Sequence, residues 1–261
     1  MDVTAELHAY YEQDKEHLRL REGAQRLEFW RTQDVLRRIL PAAPARVLDV
    51  GGGPGAHAEW LAADGYRVAL LDPIPLHVER AAGLPGVTPV VGDARRLPYP
   101  DASMDAVLLL GPLYHLADRA DRLLALSEAR RVARPGAPVA AATINRHSAV
   151  LGMIRLGQYV HEPDRRAARA AAEGGSMLSP RGFTAYFHDP DEVAGEFADA
   201  GFGDVARYGL EGAFWLYGDV DDWLDDPVRR ALMLDAQRSM ESEPSLLGVS
   251  GHLLTVARKQ R

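Results

Sequence analysis

Four residues near position 50 have the types and spacing of a ligand-binding turn. They follow the pattern Asp49-x-Gly51-x-Gly53-x-Gly55, directly after an apolar run and directly before a stretch of helix formers. Glycines in this context let backbone N–H groups approach a ligand closely, because no Cβ stands in the way. The same stretch also fits the looser dinucleotide pattern G-x-G-x-x-A, which ends at Ala56, so the glycines alone leave the class of cofactor open.

Acidic residues at the ends of the first, second and third predicted strands narrow the choice of cofactor. The carboxylate of Asp49 can meet an ammonium group but would repel a pyrophosphate. Pro54 removes a backbone N–H from the turn, which is a loss only if the turn must hold a phosphate. Asp72 can accept hydrogen bonds from both ribose hydroxyls, and Asp93 can accept one from the exocyclic amine of adenine. Together the acids outline an amino-acid–ribose–adenine ligand, although each alone could merely cap the next helix.

Short apolar segments alternate with helical segments, which predicts an α/β fold with a doubly wound, seven-stranded, mostly parallel sheet of the Rossmann-like type. The predicted strands are Arg46–Val50, Arg67–Leu71, Val87–Val91, Ala106–Leu110, Pro138–Ile144, Asp204–Gly209 and His252–Arg258.

The sequence divides into an N-terminal helical cap over residues 1–40, a cofactor-binding α/β core over 41–145, a segment over 146–190 and the rest of the core, with a helical insertion, over 191–261. The third segment is polar and Ala-rich and is too long for a simple loop in a compact sheet. We therefore expect it to be a lid or substrate-side insertion.

Composition excludes several classes of function. The chain has no cysteine, so disulfides, thiolate metal sites and cysteine nucleophiles are absent. The formal net charge of −7 disfavours nucleic acid as a partner. No apolar run reaches the roughly 20 residues of a membrane span, and the N-terminus lacks the pattern of a signal peptide. We expect a soluble, cytoplasmic protein without a membrane partner.

Residues 45 to 145 resemble the class I S-adenosylmethionine-dependent methyltransferases, particularly the bacterial small-molecule branch similar to the ubiquinone-biosynthesis type. The resemblance is carried by the segments VLDVGGGPG, LLDP, VVGDARRLPYPDASMDAVLLLGPLYHL and RVARPGAPV. It implies S-adenosyl-L-methionine as cofactor and S-adenosyl-L-homocysteine as product. It also implies that Ala94 donates its backbone N–H to adenine, that Pro73 or Ile74 packs on the base, and that Leu110 lies beside the methionine part. The family's seventh strand is antiparallel, and here it would be His252–Arg258.

The sequence departs from one branch of this family. Members that methylate amino groups of adenine or guanine carry an Asn/Asp-Pro-Pro-Tyr/Phe motif after the fourth strand, where this chain has Gly-Pro-Leu-Tyr-His ending at His115. Amino methylation of DNA bases is therefore disfavoured, and we expect a small-molecule acceptor.

Candidate catalytic residues are those that could take a proton from the acceptor. His115, preceded by Tyr114, follows the fourth predicted strand on the expected acceptor side, and His188 lies at the end of the predicted insertion, before the next helix. Each histidine could equally be a packed or capping residue. Tyr11 and Arg31 could hold the carboxylate of the cofactor by charge-assisted hydrogen bonds, as the N-terminal helical segment does in related enzymes, or could simply belong to a packed or solvated helix face.

The histidines form no H-x-x-x-H pattern or carboxylate cluster in the sequence, so we predict a metal-independent enzyme. The alternatives are an NAD(P)-dependent oxidoreductase, disfavoured by Asp49, by Asp93 and by the lack of a Tyr-x-x-x-Lys pair, and a non-catalytic module that binds S-adenosylmethionine. A homodimer is left open.

Overall fold

A computed structural model describes residues 20, 22–178 and 184–260, and these form one mixed sheet with helices packed on both faces. The strands are β1 (Arg46–Val50), β2 (Arg67–Asp72), β3 (Val87–Val91), β4 (Ala106–Leu109), β5 (Pro138–Asn145), β6 (Ser176–Leu178), β7 (Thr184–His188), β8 (Gly203–Gly209) and β9 (His252–Arg258). The helices are α1 (Gln25–Ile39), α2 (Ala56–Ala63), α3 (Pro75–Ala81), α4 (Arg119–Val132), α5 (Ser148–Arg155), α6 (Glu162–Gly174), α7 (Pro190–Asp199), α8 (Val220–Asp225), α9 (Pro227–Met240) and α10 (Pro244–Leu247).

The sheet is doubly wound, as predicted. Its parallel part has the order β3-β2-β1-β4-β5, with β3 at the outer edge. β5 pairs with β9, which runs antiparallel over His252–Arg258, and β9 pairs with β8. The chain leaves β1 toward one side of the sheet and later returns to β4 on the other side, so the order reverses between these two strands. A crevice at such a reversal, outside the carboxyl ends of the strands, is where α/β folds bind ligands.

Part of the segment over 146–190, which we expected to be a lid or substrate-side insertion, belongs to the sheet itself. It holds α5, α6 and the antiparallel hairpin β6–β7, and β7 joins the sheet in parallel at the end of β5 through the Ile144–Phe187 and Asn145–His188 pairs. β9 pairs with the other edge of β5, so β7 pairs with the same edge as β4, beyond the point where β4 ends at Leu109. The described strands thus number nine rather than the predicted seven.

Apolar side chains alternate between the two faces of the sheet, as strand geometry requires. On β1, Leu48 and Val50 pack toward α4 and α7. Val47 packs toward α1 and α2, so Asp49, which follows it by two residues, lies on the same face. Asp49 is therefore a buried acid near the carboxyl end of the strand at the reversal point.

No helix in the described ranges is both long and apolar enough to cross a membrane.

Candidate functional site

The turn between β1 and α2 has backbone conformations that only glycine adopts without strain. Gly51 and Gly55 have φ angles of +69° and +97°. A Cβ on Gly51 would lie 2.9 Å from Cδ of Pro112, and one on Gly55 would lie 2.4 Å from a methyl carbon of Leu84. The glycine pattern therefore fixes the path of the chain around the end of β1.

Asp49 is completely buried beneath this turn. Neither of its carboxylate oxygens has a hydrogen-bond partner within the described part of the chain. Burial, and then the nearby charge of Asp72, raise the pKa of Asp49 to about 7. A buried polar group without a partner is rare in proteins because its desolvation is not compensated. The carboxylate of Asp49 is thus placed to receive a positively charged or hydrogen-bond-donating group from a ligand.

Asp72, at the end of β2, holds the turn in place. Its Oδ2 accepts a hydrogen bond from the backbone N–H of Gly53 at 2.8 Å. Its Oδ1 accepts one from the N–H of Ile74 at 2.9 Å and lies 3.0 Å from Nδ1 of His77. Because a carboxylate oxygen offers two lone pairs, Oδ2 keeps capacity for a ligand hydroxyl. Asp72 can therefore serve the turn and a ligand together.

These groups open into a cleft, which we call the first cleft. Besides the glycine turn, Asp49 and Asp72, it is lined by Pro73, Ile74, Leu110, Tyr114 and His115. The rings of Tyr114 and His115 lie 4.6 Å apart. The structure thus brings together most of the site residues predicted from the strand ends.

Asp93 and Ala94 follow β3, next to the end of β2, but do not line the first cleft. The Asp93 carboxylate accepts hydrogen bonds from the backbone N–H of Arg95 at 2.9 Å and from its guanidinium at 2.9 Å. The same guanidinium also pairs with Asp121 at 2.7 Å. The predicted contact of Asp93 and Ala94 with adenine stays a prediction.

Arg31 has a structural role that differs from its predicted contact with the cofactor. Its side chain is completely buried, and its Nε donates to the carbonyl oxygen of Leu210 at 3.2 Å. Its other nitrogens pair with Asp34 and Glu241. The donors of Arg31 therefore join α1 to the end of β8 and to the end of α9, away from the first cleft. Tyr11 lies outside the described residues.

His188 does not reach the first cleft either. It ends β7, and pairing of β7 with β5 turns its side chain into the core, where it is completely buried. Its Nε2 lies 3.4 Å from Oε2 of Glu196. Burial lowers the pKa of His188 despite this carboxylate. A role for His188 as a base that touches an acceptor in the first cleft is thus contradicted by its position.

A second cleft lies beside the first at the same edge of the sheet. It is lined by Glu28 and Gln25 of α1, Ser148 and Arg155 of α5, Trp215, and His252 with its partner Glu211. Ligand atoms of Glu28, Glu211 and His252 lie within 4.8 Å of one another. The sequence did not reveal this carboxylate–histidine cluster because its members are far apart in the chain. The one indication in the sequence is the predicted antiparallel strand His252–Arg258, whose first residue would lie at the ligand-binding edge of the sheet.

Other proteins are similar to this chain in sequence and in fold. Residues 48–141 match the methyltransferase domain family. An uncharacterized methyltransferase of Mycobacterium tuberculosis is 44% identical over 100 residues, which are 38% of this chain and 39% of the relative, so the chain spans about two fifths of that relative's length.

A longer match is to a demethylmenaquinone methyltransferase of Roseiflexus castenholzii, which is 33% identical over 191 residues that cover 67% of this chain and 75% of the relative. In fold, the chain is similar to a SAM-dependent methyltransferase of Archaeoglobus fulgidus, with a TM-score of 0.60 at 16% identity over 96% of this chain and 100% of the other. The matching segment includes the glycine turn, Asp72 and Asp93, and the chain belongs to the class I S-adenosylmethionine-dependent methyltransferase family.

Proposed function

We propose that this protein transfers the methyl group of S-adenosyl-L-methionine to an oxygen, nitrogen or carbon atom of a small-molecule acceptor by in-line displacement. The observation that carries the proposal is the buried carboxylate of Asp49, which has no partner within the described residues and faces the first cleft. Among adenosine-containing cofactors, one that ends in an amino acid supplies the ammonium group that this carboxylate lacks.

The residues around the first cleft fit the other parts of that cofactor. Oδ2 of Asp72 can accept from a ribose hydroxyl while it holds the N–H of Gly53. Pro73 and Ile74 offer apolar surface for the adenine ring, and Leu110 lies at the methionine side. When bound, the cofactor supplies a methyl group on a sulfonium, which is a good leaving group. The protein then has mainly to align and desolvate the acceptor.

Tyr114 and His115 follow β4 and line the first cleft. In this proposal both residues help to position the acceptor. The similarity to a demethylmenaquinone methyltransferase supports a small-molecule acceptor. The net charge of −7 supports a partner other than nucleic acid. A cytoplasmic location and a homodimer belong to the proposal as predictions.

Thermal unfolding with added ligands tests the choice of cofactor. A ligand at about 100 times its dissociation constant stabilises the folded protein by about 2.7 kcal/mol, which raises Tm by several degrees. We expect this shift with S-adenosylmethionine and S-adenosylhomocysteine. A shift with NAD(P)H alone would instead indicate an oxidoreductase. Binding of S-adenosylmethionine without methyl transfer to any member of a broad metabolite panel would favour a non-catalytic binding module.

Asp93→Asn tests the adenine contact. We expect this variant to bind S-adenosylhomocysteine about tenfold more weakly by calorimetry, because a charge-assisted hydrogen bond to the adenine amine becomes a neutral one. Asp121→Asn is the matched control, since it breaks the other ion pair of Arg95 and leaves Asp93 unchanged. If both variants lose the same affinity, Asp93 acts only through Arg95 and the adenine contact is refuted.

A further inference from the structure

The second cleft adjoins the first cleft, which would hold the methyl donor. Its residues come from the carboxyl-end edge of the sheet, because His252 pairs with Ile144 near the end of β5 and Glu211 follows the end of β8. Glu28 of α1 lines both clefts. The two clefts are therefore neighbours at one edge of the sheet and share a wall.

The neutral ring of His252 is held in one orientation and one tautomer. Its Nδ1 lies 2.5 Å from Oε1 of Glu211, and its own backbone N–H donates to Oε2 of the same carboxylate at 2.8 Å. A carboxylate on Nδ1 keeps the proton there, so Nε2 is the proton-accepting nitrogen of the neutral ring. The ring of His252 is about one quarter exposed and faces the second cleft.

Glu211 is built to orient this histidine. It is buried, and Oγ of Ser250 also donates to its Oε2, at 2.9 Å. Burial alone would raise the pKa of Glu211, but the adjacent His252 holds it below its ordinary value. The carboxylate therefore stays charged at neutral pH, and it stabilises the imidazolium that forms when His252 takes a proton. This is the arrangement of a base and its orienting carboxylate in proton-transfer sites.

The remaining walls of the second cleft suit an aromatic acceptor. The indole of Trp215 is fixed by a hydrogen bond from Nε1 to the carbonyl oxygen of Val249 at 3.0 Å, and its ring packs over Gly152 of α5. The guanidinium of Arg155 lies on the same cleft and can attract a negatively charged oxygen. An amine would instead be held as a non-nucleophilic ammonium by Glu28 and Glu211.

We propose that His252, oriented by Glu211, is the general base that deprotonates an aromatic hydroxyl acceptor bound in the second cleft, a role that rests on the proposed methyl transfer. The hydroxyl proton passes to Nε2 of His252, and the oxygen uses the electron pair left behind to bond the methyl carbon as the carbon–sulfur bond breaks. The products are an aryl methyl ether and S-adenosylhomocysteine, and His252 releases its proton to solvent.

The contacts of Glu28, Glu211 and His252 favour a role in proton transfer over a role in binding a metal ion. Both nearby carboxylates approach the same nitrogen, since Oε2 of Glu28 lies 3.7 Å from Nδ1 of His252 and Glu211 lies closer still. Glu211 already accepts from the backbone N–H of His252 and from Ser250. A cation bound by all members of the cluster would have to break the Glu211–His252 hydrogen bond.

The test uses 4-nitrophenol, whose ionised form absorbs visible light, as a probe bound to the full chain loaded with S-adenosylhomocysteine. The phenolate absorption is followed against pH in the unchanged protein, in His252→Gln and in Glu211→Gln. His161→Gln is the control, since His161 is an exposed histidine outside both clefts. Within the described residues, the charged groups that line the second cleft beside His252 are Glu28 from α1, Arg155 from α5 and Glu211, and only the last is changed.

We expect the bound probe to ionise at least about one pH unit lower than in solution, a tenfold change in its ionisation constant. This shift should be lost in His252→Gln, reduced in Glu211→Gln and unchanged in His161→Gln. Calorimetric binding of S-adenosylhomocysteine to every variant checks that each one folds.

The proposal is overturned if the probe does not bind the loaded protein, if His252→Gln keeps the shift, or if the shift needs added Zn²⁺ and disappears with EDTA. Failure of the unchanged protein to bind S-adenosylhomocysteine contradicts the proposed function itself, which separates the two failures.

Discussion

Asp49→Asn is expected to lower the affinity for S-adenosylmethionine by roughly 10- to 100-fold, the loss that follows when a buried charge-assisted hydrogen bond is removed. The reason is that Asp49 is buried, has no partner within the described residues, and in the proposed function pairs with the ammonium group of the methionine part. Calorimetry gives the change directly.

The control ligand for this variant is methylthioadenosine, which has the adenosine and sulfur but no amino acid end. Its affinity should be nearly the same for the unchanged protein and for Asp49→Asn. An equal loss for both ligands would mean that the substitution disturbs the glycine turn as a whole, and the assignment of Asp49 to the ammonium group would be wrong.

The same substitution should change the pH dependence of stability. The pKa of Asp49 is raised from 3.8 to about 7 in the folded protein, so the folded state binds this proton more tightly than the unfolded state. The stability from this group is present below about pH 4 and is lost as pH rises through about 7, by an amount on the order of a few kcal/mol. Asp49→Asn lacks this loss. Without ligand, its Tm should therefore fall less between pH 5 and pH 8 than that of the unchanged protein.

Arg122→Met is expected to reduce the free energy of unfolding by about 3 to 5 kcal/mol, as for a buried ion pair that loses one partner. Arg122 is buried and lies 2.7 Å from Oε1 of Glu196, which is completely buried as well. It also donates to the carbonyl oxygens of Leu116 and Ala117 at 2.9 and 2.7 Å. The variant leaves the Glu196 carboxylate charged in the core, and urea unfolding measures the result.

Arg119→Met is the matched control on the same helix. Arg119 pairs with Asp199 at the surface, where both side chains are about half exposed. Such pairs contribute only about 0 to 1 kcal/mol. The double variant Arg122→Met/Glu196→Gln should recover much of the lost stability, because no uncompensated charge stays buried. If Arg122→Met is no less stable than Arg119→Met, the buried ion pair contributes nothing to the fold.

The sequence predicted the parallel part of the sheet and the strand ends that meet at the first cleft, because both depend on local patterns. β1 and β3 have the bounds read from their apolar runs, and Asp49 and Asp72 lie at the strand ends that the runs define. Parallel strands bring their carboxyl ends to one edge of the sheet, so residues at those ends meet without further information.

The rest depends on contacts between distant segments. Arg31 was predicted to bind a ligand, yet its partners Leu210 and Glu241 lie about 200 residues further along the chain. His188 became a core residue only because β7 pairs with β5. The contact between Glu211 and His252 in the second cleft joins the ends of two separate strands. No local spacing in the sequence records such contacts.

The edge strand β3 bears on how copies of this protein can associate. Gly92 donates its N–H inward to the carbonyl oxygen of Asp72, and since successive N–H groups of a strand point to opposite edges, the nitrogen of Pro89 faces outward. Proline has no N–H, so the outer edge of β3 lacks a donor at its centre. A second chain cannot extend the sheet there with a complete ladder. A homodimer that extended the sheet through β3 would therefore lack a hydrogen bond at the centre of the ladder, which favours association through helices or through the other end of the sheet.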